Sequence, residues 1–214
     1  MDTFSLIKEH SIILIMRNLP KSKLLRAANA LIRGGIRLVE VTFDQLGEMD
    51  DTAESIRTLI DEFGDALCIG AGTVMNIAQL KAAKQAGAKY IISPNTDPDV
   101  VCATKAAGLL SMPGALTPSE IVNAHALGAD VVKIFPAGQM GLGYFSALRA
   151  PLAHIPLAAV GGVTPDNICA FRKAGAVAFG ISTGILKQSL VDSGAYDDIT
   201  AAALAYAAAL MGKS

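Results

Sequence analysis

Short apolar runs alternate along the chain with longer segments in which apolar and polar residues recur at helical spacing. The runs are four or five residues long and rich in β-branched side chains, a pattern that favours buried β-strands. Eight of them recur, at residues 12–16, 38–42, 66–70, 90–93, 109–112, 131–135, 156–160 and 176–180. Each intervening segment is long enough for a helix that connects one strand to the next.

Glycine marks the end of several predicted helices. It closes the segments 33–35, 85–87, 106–108, 126–128 and 173–175, and the next strand follows within about four residues. The regular alternation predicts an α/β fold of the (β/α)8 TIM barrel class, with residues 1–214 as a single domain. Additional helices are expected at 2–9 and at about 195–211. A doubly wound open sheet is the competing arrangement, but no G-x-G-x-x-G motif opens the chain.

The amino-acid composition argues against nucleic acids and membranes as binding partners of this protein. The chain has 214 residues, 52% of them hydrophobic, and a net charge of -1, which is enough for one large core and gives no basic surface for nucleic acid. The N-terminus does not resemble a signal peptide, and no apolar run reaches transmembrane length, so no membrane partner is expected. Cys68, Cys102 and Cys169 lack C-x-x-C spacing and are expected to be reduced core residues of a cytoplasmic protein. The three histidines stand far apart in sequence, so no metal site is expected.

A lysine and a glutamate interrupt two of the apolar runs. Lys133 stands in "VVKIF" and Glu40 in "LVEVT". Side chains alternate between the two faces of a strand, so both residues can point into the barrel mouth, where the active sites of such barrels lie. A buried ion pair that fills the interior is one interpretation. The other is a nucleophilic amine, since desolvation lowers the pKa of a lysine, with Glu40 as general acid and base.

Glycine-rich loops follow the last two predicted strands, where barrels of this class commonly bind phosphate through loop amides and a helix N-terminus. These loops read "GGVTP" and "GISTG". The candidate N–H donors, with the Ser182 hydroxyl in addition, are Gly161, Gly162, Gly180, Ile181 and Ser182. Thr164 and Pro165 are also an ordinary helix start, with Thr164 as N-cap, and the two interpretations are compatible.

Other strand ends carry candidate substrate-binding residues. Arg17 follows the first strand and could clamp a substrate carboxylate, although a surface arginine at a loop start is the alternative. Thr73, in "GAGTV", could donate its hydroxyl to the same carboxylate or simply begin a helix. Pro94 and Phe135 could form an apolar wall for a small keto acid, although core packing is a competing role for Phe135.

Seven segments resemble one family in order and spacing: "LVEVT", "GAGTV", "ISPN", "PGALTPSE", "VVKIFPA", "GGVTP" and the final G-x-S loop. This family is the 2-keto-3-deoxy-6-phosphogluconate / 4-hydroxy-2-oxoglutarate (KDPG/KHG) aldolases, and the resemblance covers nearly the whole chain. It implies a metal-independent class I aldolase without a cofactor, usually a homotrimer, whose lysine forms a Schiff base with pyruvate while a glutamate moves protons. Those roles fall on Lys133 and Glu40. The resemblance also places Thr73, Pro94 and Phe135 in the pyruvate pocket, and Gly161, Gly162 and Ser182 at the phosphate end.

One position departs from the family pattern. Gluconate-type members usually have arginine two residues after the E-V-T threonine, where this chain has Asp44. Galactonate-type members resemble this chain in placing arginine at the end of strand one, so the carboxylate role is expected for Arg17. The choice between the two epimers, and between them and 4-hydroxy-2-oxoglutarate, stays open.

Two other functions are compatible with parts of the pattern. A barrel phosphosugar isomerase or thiazole-type synthase would share the "GGV" loop without imine chemistry. A non-catalytic phosphosugar-binding barrel would need neither Lys133 nor Glu40, and the presence of both with Thr73 argues against it. The favoured hypothesis is therefore reversible aldol cleavage of a small phosphosugar acid.

Overall fold

The apolar runs form the parallel sheet that their spacing predicts. The computed structural model describes residues 2–212, and within them nine parallel strands wrap into a nearly closed barrel with helices between them. The (β/α)8 class is therefore confirmed. The strands are β1 (Ile12–Met16), β2 (Leu38–Thr42), β3 (Cys68–Gly72), β4 (Tyr90–Ile92), β5 (Leu110–Met112), β6 (Gly114–Ala115), β7 (Val132–Ile134), β8 (Leu157–Val160) and β9 (Ala176–Ile181).

The ninth strand arises because Pro113 interrupts the fifth one. β5 pairs with β4 and β6 pairs with β7, so the two short pieces close the barrel between them. Proline has no N–H to donate to a ladder, which explains the break. The Pro113 carbonyl still accepts a hydrogen bond of 2.9 Å from the backbone N–H of Lys133.

Most strand boundaries agree with the sequence pattern to within one residue. The third strand is the exception, because it was expected at 66–70 and runs from Cys68 to Gly72. Residues Gly64–Ala66 instead form a short 3-10 helix. The shift brings Gly72 into the sheet, where it pairs with Thr42.

Helices cover the outside of the barrel and one of its ends. They are α1 (Thr3–His10), α2 (Lys21–Arg33), α3 (Met49–Phe63), α4 (Ile77–Gln85), α5 (Pro98–Ala106), α6 (Pro118–Ala126), α7 (Ala137–Arg149), α8 (Pro165–Lys173), α9 (Gln188–Ser193) and α10 (Tyr196–Leu210). The two terminal helices were expected and α9 was not. In residues 2–212, none of these helices is both long enough and apolar enough to cross a membrane.

Local sequence explains where several helices begin. Proline occupies the first turn of α5, α6 and α8, where its missing N–H has no helical partner to lose. Asp97 accepts a hydrogen bond of 3.0 Å from the Val100 N–H, and such N-caps typically stabilise a helix by about 1 kcal/mol. The expected helix start at Thr164 and Pro165 is confirmed.

Two apolar cores result. One lies between the strands and the surrounding helices, and the other lies inside the barrel. In the second core, Ile7 of α1 packs with Ile13, Leu38 and Val131 and is fully buried. Burying a side chain of this size stabilises the fold by about 1.5–3 kcal/mol. Helix α1 therefore closes the end of the barrel at which the strands begin.

The cysteines follow the expectation only in part. All three are free thiols, as expected of reduced residues. Cys68 and Cys169 are partly buried, but Cys102 is exposed on α5. The interpretation of Cys102 as a core residue is therefore wrong, because α5 directs that position toward solvent.

Candidate active site

Lys133 and Glu40 lie on opposite walls of the barrel, because three strands separate β2 from β7 in one direction: β1, β9 and β8. Lys133 lies between Gly114 of β6 and Ala158 of β8, two small residues that leave space for its long side chain. Glu40 lies between β1 and β3. Lys133 is 8% exposed and Glu40 only 2%. Glu40 comes two residues after Leu38 and Lys133 two residues after Val131, and both of these apolar residues belong to the interior core, so the two polar side chains also point inward, nearer the mouth.

The Glu40 carboxyl group lies against Gly72. A Cβ atom at Gly72 would overlap the Glu40 carboxyl group, so the absence of a side chain there is what makes room for it. Sequence reasoning missed this residue as part of the site. The available signal was a glycine near the end of a strand, which often marks a close approach by another group.

The Lys133 amine and the Glu40 carboxyl form no ion pair with each other. Within residues 2–212 the ion pairs all lie elsewhere, and no buried side-chain nitrogen or oxygen lacks a hydrogen-bond partner. Both polar ends therefore reach the open mouth, so the interpretation as an ion pair that fills the interior is wrong. The Lys133 amine lies 5.3 Å from the centre of the Phe135 ring.

Burial shifts both groups toward their neutral forms. Desolvation lowers the pKa of Lys133, the Glu40 charge opposes this shift, and the Arg17 charge adds to it. Desolvation also raises the pKa of Glu40, against the opposing charges of Lys133 and Arg17. A neutral amine is a nucleophile, and a carboxyl group whose pKa is raised is a better proton donor and acceptor than an ordinary glutamate.

Arg17 lies at the rim, directly after β1, and is exposed. It lines a cavity of about 280 Å³ with Ser182 and Thr183, and its charge is close enough to influence both Lys133 and Glu40. The structure thus brings Arg17 beside Ser182, although the sequence pattern assigned the two residues to opposite ends of a substrate.

The loop after β8 contains two consecutive glycines with positive φ angles. Gly161 and Gly162 have φ angles of +84° and +74°, a conformation that favours glycine. The Gly161 carbonyl accepts a hydrogen bond of 2.7 Å from the Gly138 N–H, and the Gly162 carbonyl accepts one of 3.0 Å from the Asn167 side chain. Sequence reasoning did not identify these two supporting residues. Phe135 is 47% exposed and covers Gly161, so it is a surface of the mouth rather than a core residue.

The loop after β9 begins one residue later than the sequence pattern predicts. Gly180 and Ile181 belong to β9 and pair with Ile13 and Leu14 of β1. Ser182 is the first residue beyond the strand, and its hydroxyl donates a hydrogen bond of 3.3 Å to the Ile15 carbonyl. Of the three candidates here, only Ser182 therefore stands in the loop itself.

Thr73 and Pro94 follow β3 and β4 at the same rim. Thr73 is half-buried and has a φ angle of +53°. Pro94 is exposed, and its carbonyl lies against Gly114, where a Cβ atom would overlap it. Gly114 in turn pairs with Lys133, so the turn at Pro94 lies against β6, the strand next to the one that carries the lysine.

Asp44 turns its carboxylate back onto its own loop. One carboxylate oxygen accepts a hydrogen bond of 3.0 Å from the Leu46 N–H, and the Asp44 carbonyl accepts one of 3.3 Å from Gly47. This is an Asx turn, which aspartate commonly forms. The residue that replaces the gluconate-type arginine thus organises the loop between β2 and α3.

Within residues 2–212, no group of three or more His, Cys, Asp or Glu side chains is arranged to hold a metal ion. The His125 and His154 rings are exposed neighbours, with centres 5.8 Å apart, on the outside of the barrel.

Known proteins share both the sequence and the fold. The family described as KDPG and KHG aldolase matches residues 4–202. The chain is 32% identical over 177 residues to the 2-dehydro-3-deoxy-6-phosphogalactonate aldolase of Escherichia coli (strain K12), covering 82% of this chain and 84% of that protein. It is 38% identical over 145 residues to the 2-dehydro-3-deoxy-phosphogluconate aldolase of Treponema pallidum (strain Nichols), covering 67% of each. A solved structure described as native KDPGal aligns with a TM-score of 0.84 at 30% identity and covers 94% of this chain and 95% of that one.

These similarities extend over the barrel and both walls of the candidate site, and they favour an aldolase over the isomerase and the non-catalytic barrel. The chain therefore belongs to the KDPG and KHG aldolase family and is an aldehyde-lyase.

Proposed function

We propose that the chain, acting as one barrel domain, reversibly cleaves a 2-keto-3-deoxy-6-phospho sugar acid to pyruvate and glyceraldehyde 3-phosphate through a Schiff base on Lys133. One observation carries this proposal. The Lys133 amine is buried without an ion-pair partner within residues 2–212, faces the mouth, and has a lowered pKa. The names of the relatives in Escherichia coli and Treponema pallidum supply the substrate class.

The steps follow from the two groups in the mouth. The Lys133 amine attacks the C2 carbonyl, and loss of water from the carbinolamine gives an iminium ion. Glu40, directly or through a water molecule, takes the proton of the C4 hydroxyl. The C3–C4 bond breaks, its electrons enter the iminium to give an enamine, and the aldehyde leaves. The enamine is then protonated at C3, and water hydrolyses the pyruvate iminium to release pyruvate and the free amine.

The rim residues would hold the rest of the substrate. Arg17 and Thr73 are proposed to bind the carboxylate, and the reach of the Arg17 charge to Lys133 supports this role. Pro94 and Phe135 are proposed as the apolar wall beside the keto carbon. The phosphate would meet the loops after β8 and β9, where the candidate donors are Gly161, Gly162, Gly180, Ile181 and Ser182.

Borohydride trapping tests the lysine assignment. Reduction in the presence of pyruvate should give a stable adduct on Lys133 and should abolish lyase activity. The Lys133→Met variant should give no adduct, while the Lys89→Met variant, which removes an exposed lysine, should behave like the wild type. An adduct on another lysine, or none in the wild type, would overturn the proposal.

We also propose a preference for the galactonate epimer. The position of Arg17 and the Asx turn at Asp44 support it, because the gluconate-type arginine is absent. The kcat/KM ratio for the two epimers, with 4-hydroxy-2-oxoglutarate measured alongside, tests it. A higher value for the gluconate epimer would contradict it.

We also propose that the protein is a homotrimer and that it is located in the cytoplasm. Leu46, 98% exposed, and Met75, 43% exposed, leave apolar surface at the rim that a second copy would cover. Molar mass from light scattering should correspond to three chains, and a monomer would contradict this. Cell fractionation should place the protein with cytoplasmic markers.

A further inference from the structure

Thr73 has an unusual backbone conformation for its residue type. Its φ angle of +53° lies in the left-handed region, which β-branched residues strongly disfavour. Such a residue persists only where surrounding interactions hold it, and these residues cluster at active sites. Thr73 stands directly after Gly72, on which the Glu40 carboxyl lies. The question is what holds it there.

A chain of side-chain amides provides the answer. The Gln45 side-chain N–H donates a hydrogen bond of 2.9 Å to the Thr73 carbonyl. The Gln45 side-chain oxygen accepts one of 3.0 Å from the Gln79 side chain, whose own oxygen accepts one of 2.8 Å from the Met75 N–H. Gln79 is buried, so its orientation is fixed by its surroundings. The two glutamines therefore hold the carbonyl of Thr73 and the N–H of Met75, on either side of Val74.

The segment after Thr73 is held from the opposite side by β4. The Val74 N–H donates a hydrogen bond of 3.2 Å to the Ile92 carbonyl, and the Ser93 hydroxyl donates one of 2.6 Å to the Val74 carbonyl. Residue 73 is thus fixed between two sets of hydrogen bonds. The Thr73 hydroxyl takes part in none of the side-chain hydrogen bonds within residues 2–212. Because no buried side-chain oxygen there lacks a partner, this hydroxyl is accessible from the mouth.

We infer that Gln45, supported by Gln79, is a positioning residue that holds Thr73 in the left-handed conformation and so directs its side chain at the substrate carboxylate. Asp44 contributes indirectly, because its Asx turn fixes the loop from which Gln45 projects. The inference deepens the proposed function and rests on it for the identity of the ligand. The backbone part of the inference can be tested without activity.

Kinetics and crystallography of the full-length chain test the two parts. Gln45 is exposed, so the Gln45→Ala variant should fold normally, with an unchanged melting temperature. We expect its KM for the keto-acid substrate to rise by about threefold to tenfold, the range for loss of one neutral hydrogen bond, with a smaller change in kcat. The Gln45→Glu variant keeps the acceptor for Gln79 but loses the donor to Thr73, so its KM should rise at least as much. The control is Gln85→Ala on α4, an exposed glutamine of the same helix as Gln79, which should leave KM unchanged.

A double-mutant cycle separates positioning from a general structural role. In a Thr73→Ala background there is no hydroxyl to direct, so Gln45→Ala should cause no further rise in KM. In the crystal structure of Gln45→Ala, residue 73 should leave the left-handed region. An unchanged KM together with an unchanged residue 73 would overturn the inference, as would an equal rise in KM in the Thr73→Ala background. A wild-type chain that gives no borohydride adduct would overturn the proposed function instead, and the crystal structure would still decide whether Gln45 holds Thr73.

Discussion

The two ends of the barrel are built from the same strands and differ in almost every physical property. At the closed end, α1 inserts Ile7 among Ile13, Leu38 and Val131, and the side chains are apolar and fully buried. At the open end, one alternation further along β2 and β7, stand Glu40 and Lys133, desolvated and without an ion-pair partner within residues 2–212. In β2 and β7, the apolar residues near the closed end stabilise the fold, while the desolvated Glu40 and Lys133 near the open end reduce its stability.

The largest effect is expected at Lys133. The Lys133→Met variant removes the nucleophile, so lyase activity should fall by at least on the order of a thousandfold. Stability should rise by about 1 kcal/mol, because a desolvated amine is replaced by an apolar side chain of similar size. Activity assays and denaturant unfolding measure the two changes. A less stable variant would contradict the idea that burial of the Lys133 amine lowers the stability of the folded protein.

The gain at Lys133 should also depend on pH in one direction. The folded-state pKa lies below the ordinary value of 10.5, so the unfolded chain binds this proton more tightly than the folded chain does. The stability difference between Lys133→Met and wild type should therefore be largest below the folded-state pKa. It should shrink as pH rises toward 10.5.

Glu40→Gln should have the second largest effect. Loss of the proton shuttle should lower kcat by about a hundredfold to ten-thousandfold, while the pyruvate adduct on Lys133 still forms. Because the folded-state pKa of Glu40 is raised, its contribution to stability is present below the ordinary value of 4.5 and is lost as pH rises through the folded-state pKa. The variant should therefore be more stable than wild type at pH 8, and this difference should disappear below pH 4.5. Equal stability at both pH values would argue against a desolvated carboxyl.

Gly72→Ala should disturb the open end without removing a titratable group. The added methyl would displace the Glu40 carboxyl, which should lower kcat by about tenfold to a hundredfold and stability by about 1–3 kcal/mol. Gly143→Ala is the matched control, since a Cβ there meets no atom within 4 Å. Adding Glu40→Ala to Gly72→Ala should restore stability but not activity. Full activity in Gly72→Ala alone would exclude Gly72 from the site.

Ile7→Ala should have the smallest effect on activity. Truncating a fully buried side chain at the closed end should lower the free energy of unfolding by about 2–4 kcal/mol. The kcat/KM measured well below the melting temperature should stay within about twofold of wild type, because the mouth lies at the other end of the strands. A large fall in kcat/KM would show that the two ends are not independent.

Strand spacing and side-chain alternation were enough to predict the barrel and the inward direction of Lys133 and Glu40. These properties are local, because they depend on a period of two along each run. Gly72 and Gln45 could not be found in the same way. Gly72 matters because a side chain from the neighbouring strand lies over it, and Gln45 bonds a carbonyl 28 residues away.

The structure differs from the sequence-based predictions at two other places, and tertiary contacts explain both differences. The third strand was misplaced by two residues because "ALCIG" has the apolar character of a buried strand, although Gly64–Ala66 forms a 3-10 helix and the strand begins at Cys68. Phe135 was a candidate for core packing on its residue type alone, and the structure turns it outward over Gly161. In both places tertiary contacts outweigh what hydrophobicity indicates.

Helix α1 covers the end of the barrel at which the strands begin, so substrates and products pass through the opposite, open end. In the proposed reaction pyruvate is attached to Lys133, so the aldehyde half of the substrate lies nearer the open end. Because both products leave through the same opening, the aldehyde should be released before pyruvate and, in the synthetic direction, should bind after it.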